Sequence, residues 1–401
     1  MTSRLEIGRE EYAARRAALA AKLDEAHLGA LCVFGPTRVA YLTGFFFAAT
    51  ERPIALLLTA RGEVAALLPR IELEHFSSQC PDITDLAVYA EYPGGGEGRH
   101  PMLALRDLLR RHDLLGVQIA ADHDGYENRW GYRGPSLSAV LDQRVHVDVA
   151  LIDDLRMVKS ENELTLMREA CRWGDHAHRL MQGMIREGEN ELLVSHGASL
   201  QATRDMLGEL GARYVPKARE GLPANAMFIR GANTAYPHGL HQNAPVTRGD
   251  VLVTGAYGVV GGYESELERT MHVGEPDEGF VRYFGAMVAA QDVGLAALRP
   301  FRTCAEVERE VRAFTRDELG MDDLVRHHTG HAFGLEGHEH PFLDLDDPTV
   351  IQPGMVFSVE PGLYVPGLAG LRHSDTVVVT ETGCERLSLY PRDLQGLLIL
   401  S

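Results

Sequence analysis

The chain has 401 residues, 45% of them hydrophobic and 24% charged, with a formal net charge of −18. That length accommodates two ordinary domains. The acidic balance argues against a nucleic-acid backbone or an anionic membrane as partner, and no apolar run reaches the roughly 18 residues of a membrane span.

The opening segment, Met1 to Leu23, is charged and helix-like and lacks the apolar stretch of a secretory signal, so a cytoplasmic address is expected. Five cysteines, Cys32, Cys80, Cys171, Cys304 and Cys384, lie far apart without a CxxC, which suits reduced core thiols. Leu28–Phe34 and Pro53–Thr59 read as strands, and Glu63–Leu68 as the return arm of a hairpin after Ala60-Arg61-Gly62. A glycine-rich loop at 93–98 lacks the GK[ST] of a phosphate cradle and reads as a plain loop. The three phenylalanines Phe45, Phe46 and Phe47 read as core, with a lid as the alternative.

A domain boundary falls near Leu151–Arg156, giving domains at 1–155 and 156–401. Ser160 and Glu163 form a capping-box pattern that predicts a helix over 161–187, with Leu164, Met167, Ala170, Cys171 and Trp173 inward. Further helices are expected near 190–207, 277–298 and 304–319. Strands dominate the rest, so the second domain reads as α+β, with helices on a curved antiparallel sheet.

Four later segments carry chemistry. They are Asn233–Gly239 (NTAYPHG); Gly249–Gly255 running on to Tyr263–Thr270 (YESELERT); His327–Gly334 (HHTGHAFG) with His338-Glu339-His340-Pro341; and Pro353–Gly362 (PGMVFSVEPG) leading to Arg372–Thr376 (RHSDT). In order and spacing they resemble the M24 peptidase and creatinase superfamily: aminopeptidase P, prolidase, methionine aminopeptidase and the metal-free creatinase. The resemblance covers essentially the whole chain. It implies an α+β pita-bread catalytic domain behind an α/β creatinase-type N-terminal domain, and a homodimer.

The metallopeptidases of that superfamily hold two metal ions with Asp, Asp, His, Glu and Glu. Carried across, these positions fall on Gly255, Glu266, His331, Glu360 and Ser374. Glycine has no side chain and serine only a neutral hydroxyl, so two donors are missing and a paired-ion centre is not expected. The stretch ELERT is closer to creatinase, which places Glu268 at a substrate-binding glutamate and His238 at the catalytic histidine. Creatinase differs at the position of Glu266.

The resulting expectation is a hydrolase that breaks a C–N bond in a small cationic or zwitterionic substrate without a cofactor. His238 is the general base, because an imidazole titrates near working pH. Glu268 and Glu360 join it as catalytic groups, and Glu266, His331 and His338 bind substrate. Glu266 and Glu268 alternate with Leu267 and should share one strand face. Arg269 and Arg372 read as structural ion-pair partners, and His327, His328 and His340 as neighbours. His373 is left open between a site residue and a structural one. Two alternatives remain: an Xaa-Pro peptidase acting on dipeptides with one divalent ion at Glu266, His331 and Glu360, and an inactive M24-like binding protein.

Overall fold

The computed structural model describes residues 4–90, 100–126, 131–218 and 221–400, so the loop at 93–98 lies outside the described residues. These residues form two compact units, one of Ile7–Arg156 and one of Met157 onward together with the segment up to Glu6. In the first unit six strands pair in the order β4-β3-β2-β1-β5-β6. They are β1 (Ala30–Val33), β2 (Ala55–Thr59), β3 (Val64–Pro69), β4 (Asp85–Tyr89), β5 (Ile119–Ala121) and β6 (His146–Val147). The hairpin from β2 to β3 is antiparallel with Leu57 opposite Ala65, and Gly62 at φ 83° makes its turn. Alanines and leucines of the central strands are fully buried against the helix Pro101–Arg111. Phe45 is core, stacked on Phe47 and edge-on to Phe76.

The second unit carries a sheet whose strands run β12-β11-β13-β16-β10-β8-β7. Its members are β7 (Ala224–Arg230), β8 (Val251–Val260), β9 (Tyr263–Glu264), β10 (Leu267–Val273), β11 (Gly330–Ala332), β12 (Glu339–Leu343) and β13 (Val356–Val359). β14 (Gly362–Val365) and β15 (Ala369–Arg372) form a separate hairpin, and β16 is Ser374–Val379. Every neighbour along that path is antiparallel.

The helix Glu161–Met184 packs on β8 and β7. Its capping box is present in both directions, Ser160 Oγ accepting from the Glu163 amide and Glu163 accepting from the Ser160 amide. It stops three residues before the expected end because Ile185 is extended. The helix Glu191–Leu210 packs on β7, and Glu278–Ala297 and Cys304–Ala313 on each other. Past Ala313 the predicted fourth helix widens into a π-helical turn, Phe314–Glu318. Leu164, Met167, Ala170, Cys171 and Trp173 are all buried.

Candidate active site and metal pocket

The site is built on the registers of this sheet. Gly255 of β8, Glu268 of β10 and Ser374 of β16 stand directly opposite one another, and residues opposite across antiparallel strands share a face. Glu266, just before β10, points to the same pocket and accepts a hydrogen bond from Ser374 Oγ at 2.6 Å. From β11 comes His331 and from the end of β13 Glu360. The His331 Nε2 lies 3.2 Å from Glu360 Oε1 and 3.6 Å from Glu266 Oε2. Gly330 is obligatory beside it, since a Cβ there would sit 2.0 Å from the Ser358 carbonyl oxygen.

The His331 ring is oriented by its own strand. Nδ1 faces the Ala332 carbonyl at 3.1 Å, which can only accept, so Nδ1 carries a proton and Nε2 is turned toward the two carboxylates. Burial works against a charge on His331. The hydrogen bond to Glu360 and the negative field of Glu266 and Glu360 override it and raise the imidazole to about 9. Burial and the Glu360 charge lift Glu266 to about 8. Glu360 is also buried, but His331 and Arg372 hold it down at about 2. Without an added cation both His331 and Glu266 are pushed toward their protonated forms.

One donor atom from each of Glu266, His331 and Glu360 lies within 4.8 Å of the others. Two hard oxygens and an imidazole suit a divalent cation of the first transition row, with water completing the shell. The expectation of a hydrolase working without a cofactor is therefore not supported, and the three donors that converge are those of the single-ion alternative. Gly255 and Ser374 add no charged donor beside these three.

Both oxygens of Glu268, expected as a catalytic group, take hydrogen bonds from Arg372, through Nε and Nη2. Arg372 also donates to Tyr364 Oη at 3.1 Å and to the Pro237 carbonyl at 3.3 Å, and it stands 3.7 Å from Glu360 Oε2. Arg372 therefore belongs to the site. Arg269 is structural as expected, with its guanidinium fully buried on Asp375 at 2.7 Å. His327 is more than a neighbour: its Nε2 meets Tyr364 Oη at 2.8 Å, extending the network from Arg372. His373 faces away, buried edge-on to Phe284. His328 and His340 lie near Asp344 and Asp347.

His338 stacks on His331 with ring centroids 3.7 Å apart, and burial together with the His331 charge lowers its pKa. His238 is exposed and within the electrostatic reach of His338. A cleft of about 610 Å³ is lined by Tyr236, Pro237, Gln242, Arg326, Tyr364 and Pro366. It shares Pro237 and Tyr364 with the contacts of Arg372.

Residues 165–381, more than half of the chain, match the model of metallopeptidase family M24. The chain belongs to that family. Residues 15–158 match the creatinase/prolidase N-terminal domain. Among relatives, the Xaa-Pro dipeptidase of Pyrococcus furiosus is 32% identical over 72% of this chain and 77% of its own length. The probable dipeptidase PepE of Mycobacterium tuberculosis is 28% identical over 96% of each chain. The crystal structure of dipeptidase PepE from Mycobacterium ulcerans superposes with a TM-score of 0.81 at 26% identity, covering 99% of this chain and 100% of that one. The α+β fold with a creatinase-type N-terminal domain, expected from the motifs, is thereby established.

Proposed function

We propose that this M24 protein hydrolyses an amide C–N bond in a dipeptide-sized substrate with the help of a single divalent cation held by Glu266, His331 and Glu360. The observation that carries the reading is the convergence of those three donors within 4.8 Å. The dipeptidase names of its relatives point to the same substrate size. The cleft of about 610 Å³ that meets the contacts of Arg372 at Pro237 and Tyr364 is large enough for it.

A bound divalent ion supplies Lewis-acid polarisation of the scissile carbonyl and acidifies water. The chain's own residues do the rest. His238, at the exposed edge of the pocket, takes the proton of the attacking water and returns it to the leaving nitrogen. His338, whose pKa burial lowers, presents a hydrogen-bonding nitrogen to the substrate amide. Glu360 keeps its charge because His331 and Arg372 flank it.

A second reading is hydrolysis of a small cationic compound without metal. It is favoured by the upward shift of His331 and Glu266, which moves the pocket toward balancing its own charge. Elemental analysis of the purified protein, with turnover of Xaa-Pro dipeptides and guanidino compounds before and after chelation, separates the two. The first reading expects about one ion per chain, with turnover lost on chelation and restored by Mn²⁺. Undiminished turnover by chelated, metal-free protein refutes it in favour of the second. No turnover of either class under any condition leaves the binding-protein alternative.

A further inference from the structure

We infer that Arg372, locked onto Glu268, is the resident second cation of this pocket, and that it limits the site to one metal ion while orienting Glu360 toward that ion. The inference rests on the single-ion reading above and adds a positioning residue to it.

The sheet register is the first support. Across the row formed by Gly255, Glu268 and Ser374, the one carboxylate is Glu268. A Cβ at Gly255 would meet nothing nearer than Met227 Cγ at 3.9 Å, so β8 places no group there. The Ser374 hydroxyl is turned to Glu266. Glu268 binds the guanidinium through two parallel hydrogen bonds, the geometry that fixes an arginine in both position and plane. The Tyr364 hydroxyl and the Pro237 carbonyl take the remaining Nη1 edge.

Glu360 is the second support, because its two oxygens face opposite ways. Oε1 meets His331 at 3.2 Å, on the side where the three donors converge, and Oε2 faces Arg372 at 3.7 Å. A carboxylate that would otherwise bridge two metal ions here spans a three-donor pocket and a guanidinium. Charge supplies the third support. Glu266, Glu268 and Glu360 carry three negative charges when ionised. One divalent ion and one guanidinium neutralise them with His331 neutral, whereas two divalent ions and Arg372 would leave a buried excess of positive charge.

The test is calorimetric titration with Mn²⁺. The unmodified protein should bind one Mn²⁺ per chain. Arg372→Ala should bind it at least about tenfold more weakly, the size of effect expected when an outer partner of a metal-ligating carboxylate is removed. Millimolar guanidinium should restore the affinity in that variant, and urea, its neutral counterpart, should not. Two Mn²⁺ per unmodified chain, unchanged affinity in Arg372→Ala, or equal recovery with urea would each overturn the inference. If the unmodified protein binds no Mn²⁺, the single-ion reading fails, while guanidinium binding to Arg372→Ala, measured without metal, still decides the role of Arg372. Should the alanine variant not fold, Arg372→Lys carries the test. It keeps the charge without the fork and should bind Mn²⁺ several-fold more weakly, and an unaltered affinity there overturns the claim.

Discussion

Arg269 is where stability and the geometry of the site meet. Its guanidinium and the Asp375 carboxylate are both fully buried and 2.7 Å apart. Nε donates to the Pro391 carbonyl, Nη1 to those of Glu268 and Ser374, and Nη2 to that of Tyr390, all within 3.0 Å. Asp375 also accepts from Ser388 Oγ at 2.7 Å and Gln291 Nε2 at 2.9 Å. Replacing Arg269 by methionine keeps most of the volume but leaves the buried Asp375 carboxylate with only the more distant Arg386 and Arg392, 3.7 and 3.8 Å from its Oδ2, and leaves four carbonyls without their donor. Breaking a buried pair in this way costs about 3–5 kcal/mol. For a unit of this size that corresponds to a fall in Tm of roughly 6–20 °C, read by thermal melting with circular dichroism. The double variant Arg269→Met/Asp375→Leu removes the stranded charge, although Arg386, Arg392, Gln291 and Ser388 lose their acceptor, and should recover part of the loss. A fall of less than 2 °C in the single variant, or a double variant no better than the single, would refute the reasoning.

His238→Ala should lower kcat by about 10²–10⁴-fold with Mn²⁺ affinity unchanged, because the residue moves a proton and binds no ion; paired kinetics and calorimetry check it. Gly330→Ala forces a methyl into the Ser358 carbonyl and should cost about 1–3 kcal/mol while displacing His331. A urea melt and a loss of Mn²⁺ affinity would show both effects together. Glu264 is raised to about 7 by burial and by the neighbouring Glu339 and Glu336. Its folded form therefore holds a proton that the unfolded chain releases near 4.5, so this residue's contribution to stability falls as pH rises from about 4.5 to 7 and stays lost above that. Glu264→Gln should gain on the unmodified protein across that window, by at most about 3 kcal/mol, and an advantage independent of pH would contradict the assignment.

Much of the architecture was legible because it rests on local rules. The capping box at Ser160, the glycine turn at Gly62 and each of the four motifs taken singly depend on residues close together in the chain. The termini that were misjudged, at Met184 and Ala313, sit where an extended residue or a widened turn satisfies the backbone as well as another helical turn would. Glu266, His331 and Glu360 were found as a group, and the sheet registers bring them together.

The partner of each charge was not legible in the same way. Glu268 and Arg372 are 104 residues apart in the chain, and no spacing rule says that this glutamate spends both oxygens on that arginine. His327 enters the network only because the β14 hairpin places the Tyr364 hydroxyl beside it. His373 leaves the site because its side chain packs on Phe284, although its neighbours on both sides face the pocket. By itself the sequence determined which donors exist: nothing at Gly255, an alcohol at Ser374, and three groups able to share an ion. Only the tertiary structure decided which acid remains available, because long-range strand pairing sets which charges lie within a few ångströms, where Coulomb and hydrogen-bond energies are large.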